Sequence, residues 1–189
     1  MNIKKYAVLV LGFGALLLAP LAMARLQDLE PHDASTDNQA GSKTASDERR
    51  DLLRRALAGG SLEVDAGWLA VKRSHDPGVI EFGRKMANSH NATNKQLIMI
   101  ADKLGVSSSS PKLDEQRVER IEQLKSVDAS SFDALYLKGQ VAAHEELAAV
   151  FAAVARDESA PELAAFARER RDMVDTHLKE ARELLEKLA

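Results

Sequence analysis

The sequence contains no cysteine among its 189 residues. Disulfide bonds, thiolate zinc sites, iron–sulfur clusters, c-type haem attachment and cysteine nucleophiles are therefore excluded. Aromatic residues make up only 4% of the chain, which disfavours β-sandwiches and barrels because their strands are rich in such residues. A formal net charge of −3 argues against nucleic acid as the main partner. The abundant Ala, Leu, Glu, Lys and Arg favour helices and predict an all-α fold.

Residues 1–24 have the parts of a secretory signal peptide. Lys4 and Lys5 precede a charge-free apolar run at residues 6–19, and Ala24 closes a small-x-small cleavage pattern. The alternative is an uncleaved anchor, but the run is shorter than the roughly 20 residues that a membrane-spanning helix needs. We predict cleavage after Ala24, export to the periplasm or beyond, and no stable transmembrane anchor in the mature chain.

Residues 25–45 are polar and have no hydrophobic period. Such a segment buries too little apolar surface to offset the entropy lost on ordering, so we predict a flexible tail. The folded domain is then expected at residues 46–189, with Ser46 as the cap of its first helix.

Four long helices are predicted within this domain, because apolar residues recur there at spacings of three and four. Asp76 and Pro77 are suited to start the second helix and Pro161 the fourth, while Gly105 is suited to end the second. The predicted spans are residues 46–75, 77–104, 131–156 and 161–188. The first and third connections are short, whereas the middle one carries a short amphipathic helix near residues 113–125. This connectivity predicts a ferritin-like four-helix bundle with a long crossover between its second and third long helices.

Three histidines, His90, His144 and His177, lie on the apolar faces of the last three long helices. A rise of about 1.5 Å per residue places them at similar heights, together with Glu63 of the first helix. Imidazole and carboxylate are ligands for zinc, iron or manganese, so these four residues are a candidate transition-metal site. The alternative is that each histidine is an ordinary core residue, hydrogen-bonded to Gln140, Tyr136, Asn94 or a buried water.

Methionine precedes two of these histidines by four residues, at Met86 and Met173. This spacing places thioether and imidazole on one helix face, which would suit copper, although methionine is also a common filler of helical cores. Haem b between the helices is a weaker alternative, for which no motif is present.

A ferroxidase-type di-iron centre needs Glu three residues before His on two helices. The corresponding residues here are apolar and exclude it: Ala87, Val141 and Val174. Phosphate-binding glycine loops and a nucleophile elbow are also absent from the sequence. No enzyme class is therefore predicted.

Four segments resemble the exported bacterial family called domain of unknown function 4142. They are GGSLEV and GWLA at 59–64 and 67–70, the stretch at 79–106, FDALY and QVAAH at 132–136 and 140–144, and HL at 177–178. The resemblance covers about residues 50–188 and implies a ferritin-like bundle, often with a signal peptide, and no established activity. Two departures are Ser89, where the family usually has Asp, and Arg171-Asp172, where it usually has Leu-Pro.

Two functions follow as hypotheses. The first is a non-catalytic envelope interaction or stress-related module, for which an envelope protein would be the partner. The alternative is a metal-binding bundle that uses Glu63, His90, His144 and His177, with zinc, iron, manganese or copper as the ion.

Overall fold

The structure is a computed structural model that describes residues 34–105 and 115–188. Every regular element in these ranges is an α-helix, which confirms the predicted all-α class. The five helices are α1 (Ala34–Arg73), α2 (Pro77–Lys103), α3 (Glu115–Ser126), α4 (Ala129–Val154) and α5 (Pro161–Lys187). None of the described helices combines the length and apolarity needed to cross a membrane. The predicted signal peptide and the part of the predicted tail at residues 25–33 lie outside the described residues.

The predicted starts of two helices are confirmed. Pro77 and Pro161 are the first residues of α2 and α5, where the missing amide proton of proline costs nothing. The Asp76 side chain caps α2 by accepting from the backbone N–H of Gly78 at 2.7 Å and of Val79 at 3.0 Å. The end of α2 also agrees with its prediction, because Gly105 follows it with a φ of 67°, a conformation that favours glycine.

The start of the first helix differs from its prediction. α1 begins at Ala34, twelve residues before the expected cap at Ser46, so residues 34–45 of the predicted tail are helical. Extending an existing helix fixes one residue per added hydrogen bond, whereas nucleating one fixes several. The hydrophobic period on which the prediction rested detects only the packed part of a helix. It therefore missed this polar extension.

The four long helices pack side by side around a shared interior. α1 lies against α2 and α4 against α5, each pair joined by a short connection, and further contacts join α1 to α4 and α2 to α5. The short helix α3 packs on α1 and α4. It lies in the long connection between α2 and α4, as the sequence predicts.

A close approach of α1 and α2 depends on two glycines. A Cβ atom at Gly67 would lie 2.5 Å from the carbonyl oxygen of Gly83, and one at Gly83 would lie 2.7 Å from the Cβ of Ala70. Nearer the N-terminus of α1, a Cβ atom at Gly59 would lie 2.7 Å from the side chain of Leu147 in α4. Gly59 is thus a point of close contact between α1 and α4.

Two apolar clusters fill the interior. The first cluster lies around Leu57, Leu97, Phe151 and Leu163, and the second cluster around Ala66, Phe82, Phe132 and Ala181. Five buried polar residues lie at or beside the boundary between the two clusters, and we call them the polar layer: Glu63, His90, Gln140, His144 and His177. His90, His144 and His177 come between the two clusters along their helices, whereas Glu63 and Gln140 lie among residues of the second cluster.

Candidate metal centre

The three histidines of the polar layer face one another. His90 comes from α2, His144 from α4 and His177 from α5. Their ring centroids are separated by 5.3 Å (His90–His144), 5.7 Å (His90–His177) and 5.6 Å (His144–His177). The predicted convergence of these three side chains is therefore present.

One nitrogen from each ring lies within 4.8 Å of the other two. Three atoms at that spacing lie at most about 2.8 Å from their common centre, whereas imidazole–zinc bonds are about 2.0–2.1 Å long. Each ring would have to move by less than about 1 Å to reach a shared ion, which is within the range of small side-chain rotations. The geometry is close to that of a three-histidine metal site.

Burial makes unpaired nitrogens in this cluster costly. His90, His144 and His177 are 1%, 0% and 5% exposed. Within the described part of the chain, the Nε2 atoms of His90 and His144 and the Nδ1 atom of His177 have no hydrogen-bond partner. Buried polar atoms are nearly always paired in native proteins. A cation bound at this cluster would take one nitrogen of each ring as a ligand.

The backbone of α4 orients the ring of His144. Its Nδ1 lies 2.9 Å from the carbonyl oxygen of Gln140, one turn earlier in the helix. A carbonyl oxygen only accepts hydrogen bonds, so Nδ1 carries the proton and Nε2 keeps its lone pair. A hydrogen bond of this kind from the second ring nitrogen is the usual support of a metal-binding histidine.

The pKa values keep the imidazoles in the form that binds metals. Burial lowers the pKa of His144 to about 4. It also lowers the pKa of His177 to about 4, with the charges of His144 and Lys85 acting in the same direction. Burial, and then the neighbouring His144 and His177, hold the pKa of His90 well below its ordinary value. All three rings are thus neutral at pH 7, and only neutral imidazole offers a lone pair to a metal.

Glu63 is buried in the same layer but is separate from the histidine cluster. Among the described residues, the group of side chains whose ligand atoms converge consists of the three histidines and does not include Glu63. Neither carboxylate oxygen of Glu63 has a hydrogen-bond partner among the described residues. Burial raises the pKa of Glu63 to about 8, although the nearby Gln140 side chain and the charge of Arg120 favour the ionised form. Glu63 is therefore mainly protonated at neutral pH and faces a neighbouring cavity lined by Tyr136 and Gln140.

The methionines expected at a copper site pack elsewhere. Met86 belongs to the second apolar cluster, whereas Met173 packs against the first. The Met173 sulfur also lies 3.9 Å from the Thr93 hydroxyl, which donates to it. The two thioethers thus lie on opposite sides of the polar layer.

Of the three protein residues expected as partners of ordinary core histidines, Gln140, Tyr136 and Asn94, only Gln140 bonds to a histidine ring nitrogen within the described ranges. That nitrogen is Nδ1 of His144, which bonds to the backbone of Gln140 and not to its side chain. The Tyr136 hydroxyl and the Gln140 side-chain oxygen are themselves buried without a partner in the described ranges. The Asn94 amide donates to Ser61 at 3.4 Å.

The fold and the cluster together define a class, an all-α protein with three neutral imidazoles gathered in its interior. The sequence pattern of the family described as "Domain of unknown function (DUF4142)" matches residues 34–184. The chain belongs to this family, as its resemblance in four segments predicts. Comparisons with curated proteins and with solved structures give no match.

Proposed function

We propose that this chain is a metal-binding helical protein that holds one divalent transition-metal ion between His90, His144 and His177. The observation that supports this proposal is that one ring nitrogen from each of three buried histidines, on three different helices, lies within 4.8 Å of the other two. Each ring also has a buried nitrogen without a hydrogen-bond partner among the described residues. A single buried histidine is common, but three whose ring nitrogens lie this close together are typical of metal sites.

We also propose that the four long helices form a ferritin-like four-helix bundle. The short connections between α1 and α2 and between α4 and α5, with a long connection that carries α3, support this assignment. Bundles with one long crossover commonly place metal sites in their core, on side chains of facing helices.

The ligand set favours zinc among the candidate ions. Neutral imidazoles suit zinc and copper, whereas manganese and non-haem iron sites need carboxylate ligands as well. Glu63 is outside the converging group, and the two methionines lie in separate apolar clusters. Three protein ligands leave a fourth position of a tetrahedral zinc ion for water or another ligand.

We place this protein in the periplasm or outside the cell after cleavage at Ala24, on the basis of its signal-peptide pattern. The competing function is a non-catalytic envelope interaction or stress-related module. It rests on the same signal-peptide pattern, which would send the chain to the cell envelope. The described surface exposes single large apolar side chains such as Trp68 and Met99, which are common on protein surfaces and specify no partner. The histidine cluster is the more specific feature, so metal binding is the function that we propose.

The test uses the full-length gene, with the protein purified from the host periplasm and stripped with EDTA. Zinc is then titrated into the wild type, His144→Ala and His177→Ala, and into His75→Ala as a matched control, because His75 is exposed at the α1–α2 connection. We expect one zinc ion per chain, bound with a dissociation constant of about 1 μM or tighter, in the wild type and the control. Either core substitution should weaken binding by at least about a hundredfold.

Circular dichroism of each variant separates loss of the ligand from loss of the fold. Elemental analysis of the unstripped protein completes the test, since a native site should retain close to one metal ion per chain. Equal zinc binding by the wild type and His144→Ala, with both folded, would show that the proposal is wrong.

A further inference from the structure

A second candidate site lies beside the polar layer, in a half-open cavity of about 260 Å³ between α1, α3 and α4. Its walls are mainly apolar and include Leu62, Ala66, Leu124 and Leu135. An apolar cavity of about 150 Å³ is large enough to bind benzene. This cavity therefore has room for one aromatic ring with small substituents.

The buried end of the cavity carries three polar side chains, those of Glu63, Tyr136 and Gln140. All three residues are at most 2% exposed. The two Glu63 oxygens, the Tyr136 hydroxyl and the Gln140 side-chain oxygen have no hydrogen-bond partner among the described residues. Buried donors and acceptors without partners are costly, so this end of the cavity is suited to a ligand with a polar group.

The outer end of the cavity is positively charged. The half-buried Arg120 and the exposed Lys138 line it. Burial raises the pKa of Glu63 to about 8, so this carboxyl group does not neutralise the nearby guanidinium at neutral pH. An anionic group on a ligand would be attracted to these two cations.

Gly139 lies at the mouth of the cavity and carries no side chain that could cover it. It lies within α4, lines the cavity and is exposed. A Cβ atom there would meet no other atom within 4 Å, so packing does not require glycine at this position. Glycine lowers the stability of a helix by about 1 kcal/mol relative to alanine. A glycine that packing does not require therefore indicates that the position serves the cavity.

We propose that this cavity binds a small organic acid with an apolar body, such as a hydroxylated aromatic carboxylate. The carboxylate lies beside Arg120 and Lys138, and the apolar body lies between the leucine side chains. A hydroxyl group at the far end of the ligand exchanges hydrogen bonds with Tyr136 and Gln140. The site is independent of the histidine cluster, because the histidines are not among its lining residues.

The binding test uses EDTA-stripped full-length protein, so that a carboxylate probe has no metal ion to bind. Three probes are titrated by calorimetry and by NMR: 4-hydroxybenzoate, benzoate and 4-hydroxybenzamide. We expect 4-hydroxybenzoate to bind one molecule per chain with a dissociation constant of about 1 mM or lower. Benzoate lacks the hydroxyl and the amide lacks the charge, so each should bind about tenfold more weakly.

Substitutions then locate the site. Gly139→Leu places a side chain over the mouth and should weaken 4-hydroxybenzoate binding at least tenfold. Ala149→Leu is the matched control, because Ala149 is an exposed α4 residue that does not line the cavity. Arg120→Gln should remove the preference for the carboxylate over the amide.

Zinc titration of Gly139→Leu gives a separate readout and should match the wild type, since the mouth residue is not a proposed metal ligand. Absence of saturable binding of all three probes up to about 10 mM would overturn the inference. Equal probe binding by the wild type and a folded Gly139→Leu variant would overturn it as well. Neither result would bear on the metal centre.

Discussion

The Nδ1 atom of His144 lies 2.9 Å from the backbone carbonyl oxygen of Gln140. This contact connects the regular geometry of α4 to the chemistry of the histidine cluster. Because the acceptor belongs to the backbone, any residue at position 140 that keeps the helix intact also keeps the hydrogen bond. The tautomer of His144 is thus set by the helix and leaves Nε2 available to a metal ion.

Substituting Gln140 with Ala should therefore change zinc affinity by less than about threefold, because it preserves the carbonyl oxygen. The same substitution should weaken 4-hydroxybenzoate binding, because it removes an acceptor from the buried end of the cavity. Both affinities can be measured by calorimetry on one protein preparation. A loss of zinc affinity above about tenfold would show that the Gln140 side chain supports the metal centre.

Glu63→Gln should stabilise the metal-free protein at alkaline pH. The folded-state pKa of Glu63 is about 8, above the ordinary pKa of 4.5, so the folded state binds one more proton than the unfolded state between these values. Stability contributed by this group is consequently complete below pH 4.5 and falls as the pH rises to 8. The amide does not ionise, so the variant should gain about 2–4 kcal/mol over the wild type between pH 4.5 and pH 8.

Urea unfolding of the wild type and the variant, measured at several pH values in EDTA, checks this prediction. Parallel stability profiles over the whole range would show that Glu63 ionises normally in the folded protein.

The histidine cluster should make the metal-free protein sensitive to acid. His144 and His177 have folded-state pKa values of about 4, below the ordinary pKa of 6.5, so the unfolded state binds more protons between these limits. Stability should therefore fall as the pH drops from about 6.5 to about 4. The measurement belongs in the Glu63→Gln background, because Glu63 acts in the opposite direction over part of this range.

Zinc should oppose this loss, because the ion competes with protons for the same nitrogens. In the Glu63→Gln background, thermal unfolding at pH 5.5 with and without zinc provides the comparison. An acid profile in which stability is constant from pH 7 to pH 4 would contradict the burial of neutral imidazoles.

Alanine should have opposite effects at two helical glycines. Gly67→Ala would place a Cβ 2.5 Å from the backbone of Gly83, and overpacking of this kind costs about 1–3 kcal/mol. Gly139→Ala would meet open space and should stabilise the protein by about 0.5–1 kcal/mol through helix propensity. Urea unfolding of both variants checks the pair. Destabilisation by both would show that Gly139 is also required for packing.

Local sequence rules were sufficient where one residue determines a boundary. Pro77 and Pro161 begin their helices and Gly105 follows one. Proline fixes its own φ angle and lacks an amide proton, and glycine readily adopts a positive φ, whatever their neighbours are. The start of α1 was missed, because nothing in residues 34–45 forbids a helix and nothing there marks one.

The heights of the predicted site residues were easier to infer than their directions. His90, His144 and His177 lie at one level because the rise per residue is constant. Glu63 belongs to the same layer but lines the cavity. An error of one residue in the helical phase turns a side chain by about 100°, so its direction could not be read from its height. The cavity itself was not predicted, because the position of α3 on α1 and α4 depends on contacts distant in sequence. The one local signal for it was Gly139, a lone glycine within a helix.

The histidine cluster also bears on how far α2, α4 and α5 can slide along one another. A slip of α2 by one turn, about 5.4 Å, would put Met86 or Asn94 at the level of His144. It would also move the imidazole of His90 away from those of His144 and His177, so the three rings could no longer share an ion. Leucines and alanines tolerate such a slip because one apolar contact resembles the next. An ion held by the three histidines would therefore fix the longitudinal register of these three helices.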